Sequence, residues 1–285
     1  SLNPEPKVEM PADWIDALKK VLSHGNVCSK ESITRQYDTS VQGANALPPY
    51  SGVNNDGPND ALVLTPILDK PYGLVISHGL NPVLNSIDPY LGSLWAVAEA
   101  MANYVAVGGN PREAALINNY IWPAPDEVSL AGLQDAVDAV CFSMEALEIP
   151  VISGKDSLSS TYRIGNRILK IPPVLCISVF GRIPDVEKTV TSDIKQPGST
   201  LVLVGAMNEG MGGSTYYDIN GYLGNDVPVV DIDILPRVLD GIHHAIVSGE
   251  VLACHDVSEG GIVGAVSEMC FGGDCGVDLD LPEQM

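Results

Sequence analysis

Basic residues are scarce in this chain. Its 285 residues include 15 lysine and arginine residues against 36 aspartate and glutamate residues, which gives a formal net charge of −21 at pH 7. A surface with this balance repels phosphate backbones and anionic lipid headgroups, so we expect neither a nucleic-acid partner nor a membrane-surface role. A protein of this charge binds an anionic nucleotide through metal ions or local backbone donors.

Cysteines are few, and no two of them form a CxxC pair. The six are Cys28, Cys141, Cys176, Cys254, Cys270 and Cys275. Three lie in the apolar runs AVCFSM, VLCISV and LACHDV. This distribution favours buried free thiols in a reducing compartment, and a zinc site or a disulfide is the alternative.

Long apolar runs are absent as well. No stretch approaches the roughly 20 apolar residues that a membrane helix needs. The chain does not begin with the basic-then-apolar segment of a signal peptide. From these observations we expect a cytoplasmic chain without a membrane segment.

Hydrophobic residues make up 45% of the sequence, which is typical of a globular chain, and the length suggests two domains. Asp88 and Pro89 predict a helix start that leads into a helix ending at Gly108. The apolar period predicts another helix over 129–147. Short strands are predicted at 62–68, 73–77, 113–119, 149–153 and 173–183. The resulting fold class is α+β.

The polar stretch DIKQPGS, at 193–199, predicts a break between two units. We assign 1–43 to a lead-in and an N-terminal helix that Pro11 opens. Residues 44–190 then form an N-terminal domain and 198–285 a C-terminal domain. In the second domain we expect strands at 200–205 and 251–254, a strand-like end at GVDLDL, and helices at 234–248 and from about 260.

Glu99 and Asn103 lie four residues apart on the first predicted helix, so their side chains share one face. A carboxylate and an amide oxygen at this spacing are suited to a hard cation such as Mg²⁺. Their neighbours in AEAMAN are apolar, and a charged group in a buried helix needs a partner or a metal. The alternative is a solvated pair on an exposed edge.

Two further stretches offer polar groups beside strands. Asn59 and Asp60 stand between a Gly/Pro loop and a strand, where an aspartate either ligates a metal or serves an ordinary turn. In SGKDSLSS, Lys155 and Ser157 follow the strand IPVI and are candidate phosphate donors, although the Walker A spacing is absent. As a bare pattern the stretch is weak, and a plain polar turn is the alternative.

The stretch CHDVSEGG follows a predicted strand and precedes an apolar helix, which is a natural anion site because backbone donors and the helix dipole meet there. Asp256 is a candidate metal ligand and Ser258 a candidate phosphate contact. The alternative is a simple helix cap, with Ser258 as the N-cap residue and Glu259 in the first turn.

The order of these motifs is more specific than any one of them. DPYLGSLWAVAEAMANYVAVGGNP, IPVISGKDSLS and LACHDVSEGGIVGAVSEMCF resemble the phosphoribosylformylglycinamidine synthase family. RQYDTSVQG followed by GPNDALVL is similar to the start of the second of the two synthetase halves in the large single-chain form. The resemblance covers about residues 25–285.

This resemblance implies the two-domain aminoimidazole-ribonucleotide-synthetase architecture, with an N-terminal sheet-and-helix domain and a truncated C-terminal α/β domain. It implies an ATP-dependent carbon–nitrogen ligase of purine biosynthesis that uses glutamine to convert formylglycinamide ribonucleotide into its amidine. The second half of such an enzyme holds an auxiliary, structural Mg–ADP site. The implied cofactors are therefore Mg²⁺ and ATP or ADP. The implied partners are the other synthetase half and the glutaminase domain of the same polypeptide.

Carried over motif by motif, the implied magnesium ligands are Asp60, Glu99, Asn103 and Asp256. The implied nucleotide contacts are Asn59, Lys155, Ser157 and Ser258. Lys155 and Ser157 belong to GKDS, where shorter members of the family read GNVS, so this stretch favours the large form.

The family's catalytic histidine motif and its glutaminase triad do not occur in this sequence. We therefore expect the chain alone to be inactive in amidine formation and to bind nucleotide weakly or not at all. Two alternatives stay open. One is another ATP-dependent synthetase of the superfamily, such as aminoimidazole ribonucleotide synthetase or selenophosphate synthetase. The other is a non-enzymatic nucleotide-binding scaffold module.

Overall fold

A computed structural model describes residues 5–37, 39–40 and 43–280 of the chain. The first residues of the predicted lead-in and the last five of the predicted C-terminal domain lie outside this part. The helices are α1 (Trp14–Leu22), α2 (Glu31–Thr34), α3 (Pro82–Ile87), α4 (Pro89–Ala106), α5 (Glu127–Leu147), α6 (Thr215–Ile219), α7 (Leu235–Val247) and α8 (Gly261–Gly273). No helix among the described residues is both long enough and apolar enough to cross a membrane.

Ten strands precede residue 184 in the described part of the chain. They are β1 (Asn45–Leu47), β2 (Tyr50–Ser51), β3 (Gly57–Pro58), β4 (Leu62–Leu64), β5 (Gly73–Gly79), β6 (Ala114–Ile121), β7 (Val151–Ser157), β8 (Thr161–Ile164), β9 (Arg167–Lys170) and β10 (Val174–Ile183). Six form one sheet in the order β1-β4-β5-β10-β6-β7, and β2–β3 and β8–β9 form separate pairs. All pairings are antiparallel except β6–β7.

The core lies between this sheet and the long helices. Alternate residues of β10 point towards the helices and are fully buried, as in Leu175, Ile177 and Val179. Met101 and Tyr104 of α4 are equally buried. Mixed strands covered by helices on one face make this an α+β fold, as predicted.

The start of α4 follows its sequence signal. The Asp88 carboxylate accepts a hydrogen bond from the Leu91 backbone N–H at 2.9 Å, and Pro89 occupies the first helical position. The predicted start of α1 at Pro11 is wrong by three residues. Asp13 caps that helix through the Ile15 and Asp16 backbone N–H groups, so the helix begins at Trp14.

Two other local expectations are corrected. The strand predicted to be buried and to end at Gly154 continues through GKDS to Ser157. It is an edge strand of the sheet, and Ile152 within it is exposed. Cys141, expected to be buried within AVCFSM, is exposed because it lies on the outer face of α5.

The strands predicted at 200–205 and 251–254 are absent, and so is a strand at 276–280. Within the described residues beyond 198, the regular elements are α6, α7 and α8. Residues 201–204 are apolar but exposed, with Val202 at 69%. A β-strand needs a neighbour for its backbone hydrogen bonds, and no described segment lies beside this one as a partner strand. The predicted division near 190–199 stays a prediction.

The helices of the C-terminal part pack against the N-terminal sheet-and-helix unit. Arg112 donates to both carboxylate oxygens of Asp240 on α7, at 3.1 and 2.6 Å. The Val53 backbone N–H donates to the Gly272 carbonyl of α8 at 2.8 Å. The hydrogen bond between Val53 and Gly272 holds α8 against the loop that leads to Asp60.

Candidate functional site: an acidic cleft

Asp60, His255 and Asp256 meet where the two parts of the chain are in contact. Asp60 lies between β3 and β4, and the other two lie in the connection between α7 and α8. Their potential ligand atoms are all within 4.8 Å of one another. The fold therefore joins residues that are 196 positions apart in the sequence.

The Asp60 carboxylate is buried, with 2% of its side chain exposed. Its Oδ1 accepts a hydrogen bond from His255 Nδ1 at 2.5 Å and a longer one from the Asp256 backbone N–H at 3.4 Å. Its Oδ2 is buried and has no hydrogen-bond partner among the described residues. Burying a carboxylate oxygen without a hydrogen-bond donor costs free energy. We therefore expect Oδ2 to bind a cation or to accept a hydrogen bond from another donor.

Glu99 projects from α4 towards the same place. Its Oε2 accepts a hydrogen bond from the Leu80 backbone N–H at 2.8 Å. Burial, together with the negative charges of Glu259 and Asp256, raises the pKa of Glu99 to about 9. The pKa of Asp256 is also raised well above its usual range, first by burial and then by the Asp60 charge. These carboxyl groups therefore share one electrostatic environment.

Glu259 is a further acid at this site. Its carboxylate accepts a hydrogen bond from Asn81 Nδ2 at 3.0 Å. Burial raises its pKa, while a hydrogen bond from Ser258 and the positive charge of Lys30 act in the opposite direction. The hydroxyl of Ser258, a predicted nucleotide contact, thus bonds to this acid.

The other predicted residues on α4 and the preceding loop have structural contacts. Asn103 lies one turn after Glu99 and donates from Nδ2 to the His78 carbonyl at 2.9 Å. Asn59 donates from Nδ2 to the Pro48 carbonyl at 2.8 Å and accepts at Oδ1 from the Ser51 hydroxyl at 3.0 Å. These hydrogen bonds connect Asn59 to residues 48 and 51 and so stabilise the loop that precedes Asp60.

Lys155 and Ser157 lie on β7, at the edge of the sheet. The Lys155 ammonium donates to the Ser157 hydroxyl, and Lys155 is exposed. No recorded contact joins either residue to the carboxyl groups of the cleft in the described part of the chain. Both stay predictions as nucleotide contacts.

The sequence reading missed His255, Glu259 and Glu268. His255 Nε2 contacts Glu268 Oε2 at 2.9 Å, and 8% of the His255 side chain is exposed. Burial lowers the pKa of His255. The charge of Asp60, the hydrogen bonds to Asp60 and Glu268 and the charge of Asp256 outweigh this effect and raise the pKa to about 11. A usable signal existed, because Glu268 is the single charged residue in GIVGAVSEMCFGG.

The donor set suits a hard divalent cation. Asp60 Oδ2 and Asp256 supply carboxylate oxygens, the ligand type that Mg²⁺ prefers. Glu99 lies outside the group whose ligand atoms are within 4.8 Å of one another, but it is near enough for the Asp256 charge to raise its pKa. Both nitrogens of His255 are already in contact with carboxylates, which leaves neither free for a metal. His255 is therefore a neighbour of the cation site rather than a ligand.

We expect cation affinity at this site to rise with pH. A divalent cation competes with the proton that metal-free Glu99 holds up to about pH 9, so the dissociation constant should fall as pH rises. The change is about tenfold per pH unit for each displaced proton. Mn²⁺ titrations between about pH 6 and pH 8 measure this slope.

Glu99→Gln should reduce the slope, whereas Glu250→Gln, at an exposed acid outside the cleft, should leave it unchanged. A dissociation constant that is independent of pH would contradict the proton competition.

Two family models match the chain. The FGAR-AT PurM_N-like domain matches residues 29–182, and the C-terminal domain of AIR synthase related proteins matches residues 196–285. The first match alone covers more than half of the 285 residues.

Curated relatives extend this similarity. Phosphoribosylformylglycinamidine synthase subunit PurL of Thermoplasma acidophilum is 31% identical over 272 residues, which cover 95% of this chain and 35% of the relative. Phosphoribosylformylglycinamidine synthase of Homo sapiens is 33% identical over 272 residues, which cover 93% of this chain and 20% of the relative. The chain thus spans a limited part of each relative.

Solved structures share the fold. T. maritima PurL complexed with FGAR matches with a TM-score of 0.66 and 16% identity, over 92% of this chain and 39% of that one. A HypE–HypF complex matches with a TM-score of 0.51 and 16% identity, over 76% and 65%. The matched family domains and the curated relatives agree with this architecture. The chain belongs to the phosphoribosylformylglycinamidine synthase family.

Proposed function

We propose that this chain contributes a magnesium–adenine nucleotide site to an enzyme that converts formylglycinamide ribonucleotide into its amidine. The observation that carries the proposal is the buried Asp60 Oδ2, which has no hydrogen-bond partner among the described residues and lies in one cluster with Asp256. Membership of the family supports this choice of reaction. The reaction consumes ATP and takes its nitrogen from glutamine through a glutaminase partner domain.

Asp60, Glu99, Asn103 and Asp256 would hold the cation in this proposal. A bound Mg²⁺ would offset the negative charge of nucleotide phosphates, which the acidic cleft by itself repels. Asn103 would need to present its side-chain oxygen, since its Nδ2 is already bonded to the His78 carbonyl.

Asn59, Lys155, Ser157 and Ser258 would contact the nucleotide. The site lies where the loop before β4 and the start of α8 approach each other. Gly260 and Gly261 at that helix start both have positive φ, 88° and 63°, which turns the chain sharply beside Ser258. The backbone donors of the first helical turn would then be available to a phosphate group.

We further propose that this site is an auxiliary one, which binds nucleotide without breaking bonds. No described residue of the cleft is a poised nucleophile. Burial, with the charges of Asp60 and Asp256, raises the pKa of the Cys254 thiol to about 12, so it stays protonated at neutral pH. His255 is held between carboxylates and is not free to act as a base. In the large form of the enzyme, this chain would be the second synthetase half.

The test uses the complete synthase carrying this segment, with Asp256→Asn as the variant. We expect the variant to lose bound Mg–ADP, which is measured by nucleotide release after denaturation and by calorimetric titration. Asp278→Asn, at an exposed acid beyond α8, is the matched control and should retain nucleotide.

Steady-state kinetics with formylglycinamide ribonucleotide, ATP and glutamine separate an auxiliary site from a catalytic one. An auxiliary site predicts that the Asp256→Asn enzyme, where it remains folded, retains chemical turnover. A variant that keeps its nucleotide but loses turnover by about a thousandfold or more would contradict the auxiliary assignment.

A further inference from the structure

His255 connects the candidate cation ligand Asp60 to an acid on α8. Its Nδ1 is 2.5 Å from Asp60 Oδ1 and its Nε2 is 2.9 Å from Glu268 Oε2. Ionised carboxylates only accept hydrogen bonds, so the ring donates from both nitrogens. Its Nδ1 is also 3.6 Å from Asp256 Oδ1, outside hydrogen-bond distance. The imidazole of His255 therefore bridges the carboxylates of Asp60 and Glu268.

Helix α8, which carries Glu268, packs closely against the segment that precedes Asp60. A Cβ on Gly57 would lie 2.6 Å from Gly272 Cα, which shows how closely α8 approaches the strand before Asp60. The hydrogen bond from the Val53 N–H to the Gly272 carbonyl reinforces the contact. Glu268 thus belongs to an element whose distance to the Asp60 loop is set by backbone packing.

We propose that Glu268 and His255 are positioning residues that hold Asp60 with its Oδ2 towards the cation. The inference rests on the proposed function, because it assumes that Asp60 is a ligand. The His255 hydrogen bond fixes Oδ1 and so opposes rotation of the carboxylate. Glu268 fixes the imidazole in turn, through the nitrogen that Asp60 does not use. Residues that hydrogen-bond to a metal ligand orient it and so change the affinity for the metal without contacting the metal themselves.

The test compares Glu268→Leu with Glu268→Gln in the 285-residue chain. Leucine removes the acceptor for His255 Nε2, so we expect Mn²⁺ to bind about tenfold or more weakly. Glutamine keeps an acceptor oxygen at the same reach, so its dissociation constant should stay within about threefold of the wild-type value. Glu250→Leu removes one exposed acid elsewhere and is the control for charge.

Mn²⁺ binding is followed by electron paramagnetic resonance, which detects the free ion and requires no enzyme activity. Thermal unfolding without metal is recorded for each variant. If Glu268→Leu lowers the unfolding midpoint but binds Mn²⁺ like the wild type, Glu268 is merely structural and the inference is overturned. The cation site itself still stands in that case, provided that Asp60→Asn abolishes binding. Absence of saturable Mn²⁺ binding by the wild-type chain would overturn the inference and the proposed function together.

Discussion

Gly79→Ala is expected to destabilise the sheet-and-helix unit by about 3 kcal/mol or more. An added Cβ would lie 2.2 Å from the Ala96 carbonyl oxygen and 2.5 Å from the Ala100 backbone nitrogen. Both atoms belong to the backbone of α4, so no side-chain rotation relieves the overlap. The next residue, Leu80, donates to Glu99, so a displaced helix would also displace a candidate ligand.

Denaturant unfolding measures this loss, with Gly241→Ala as the control. Gly241 lies inside α7, and a Cβ there has no atom within 4 Å. That substitution should leave stability unchanged or raise it by up to about 1 kcal/mol, because alanine is the better helix former. Equal unfolding midpoints for Gly79→Ala and the wild type would mean that β5 and α4 do not pack as described.

Asp60→Asn should abolish measurable binding of Mn²⁺ at the acidic cleft, a loss of about a hundredfold or more. Asparagine has nearly the same shape, but it replaces the buried oxygen pair by a neutral amide. Asp60 Oδ2 is the atom whose missing partner motivates the site, so its removal should have the largest effect of any single change there.

The matched control is Asp56→Asn. Asp56 precedes Asp60 by four residues, is exposed and lies outside the carboxylate cluster. Calorimetry or electron paramagnetic resonance with Mn²⁺ compares the two variants. Similar dissociation constants for Asp60→Asn and the wild type would place the cation elsewhere and remove the basis of the proposed function.

Elements with strong local signals were predictable. Asp88 and Pro89 predict the start of α4, because Asp88 caps the helix and Pro89 fits its first turn. The apolar run at 173–183 became β10, the strand between β5 and β6. Prediction failed at 200–205, where an apolar run has strand character but no described neighbour. Sheet formation depends on a partner, which a local pattern does not supply.

The candidate site was also predictable only in part. Asp60 and Asp256 could be selected because carboxylates at loop–helix and loop–strand junctions suit a cation, and family motifs supported that choice. The bridging role of His255 could not be predicted from the sequence, because its partners Asp60 and Glu268 lie 195 residues before it and 13 residues after it. A histidine in a loop has many possible neighbours, and only the distances in the folded chain identify His255 as a bridge between two carboxylates.

The sequence by itself determined helices α4 and α5, the strands β5, β6 and β10, the excess of negative charge and the membership of the family. Each depends on composition or on short-range order, which the chain carries wherever it folds. The tertiary structure alone decided that Asp60 Oδ2 is buried without a donor among the described residues and that Glu268 contacts His255. These properties depend on distances between remote residues and on exclusion of water, and both arise only when α8 packs against the loop before β4.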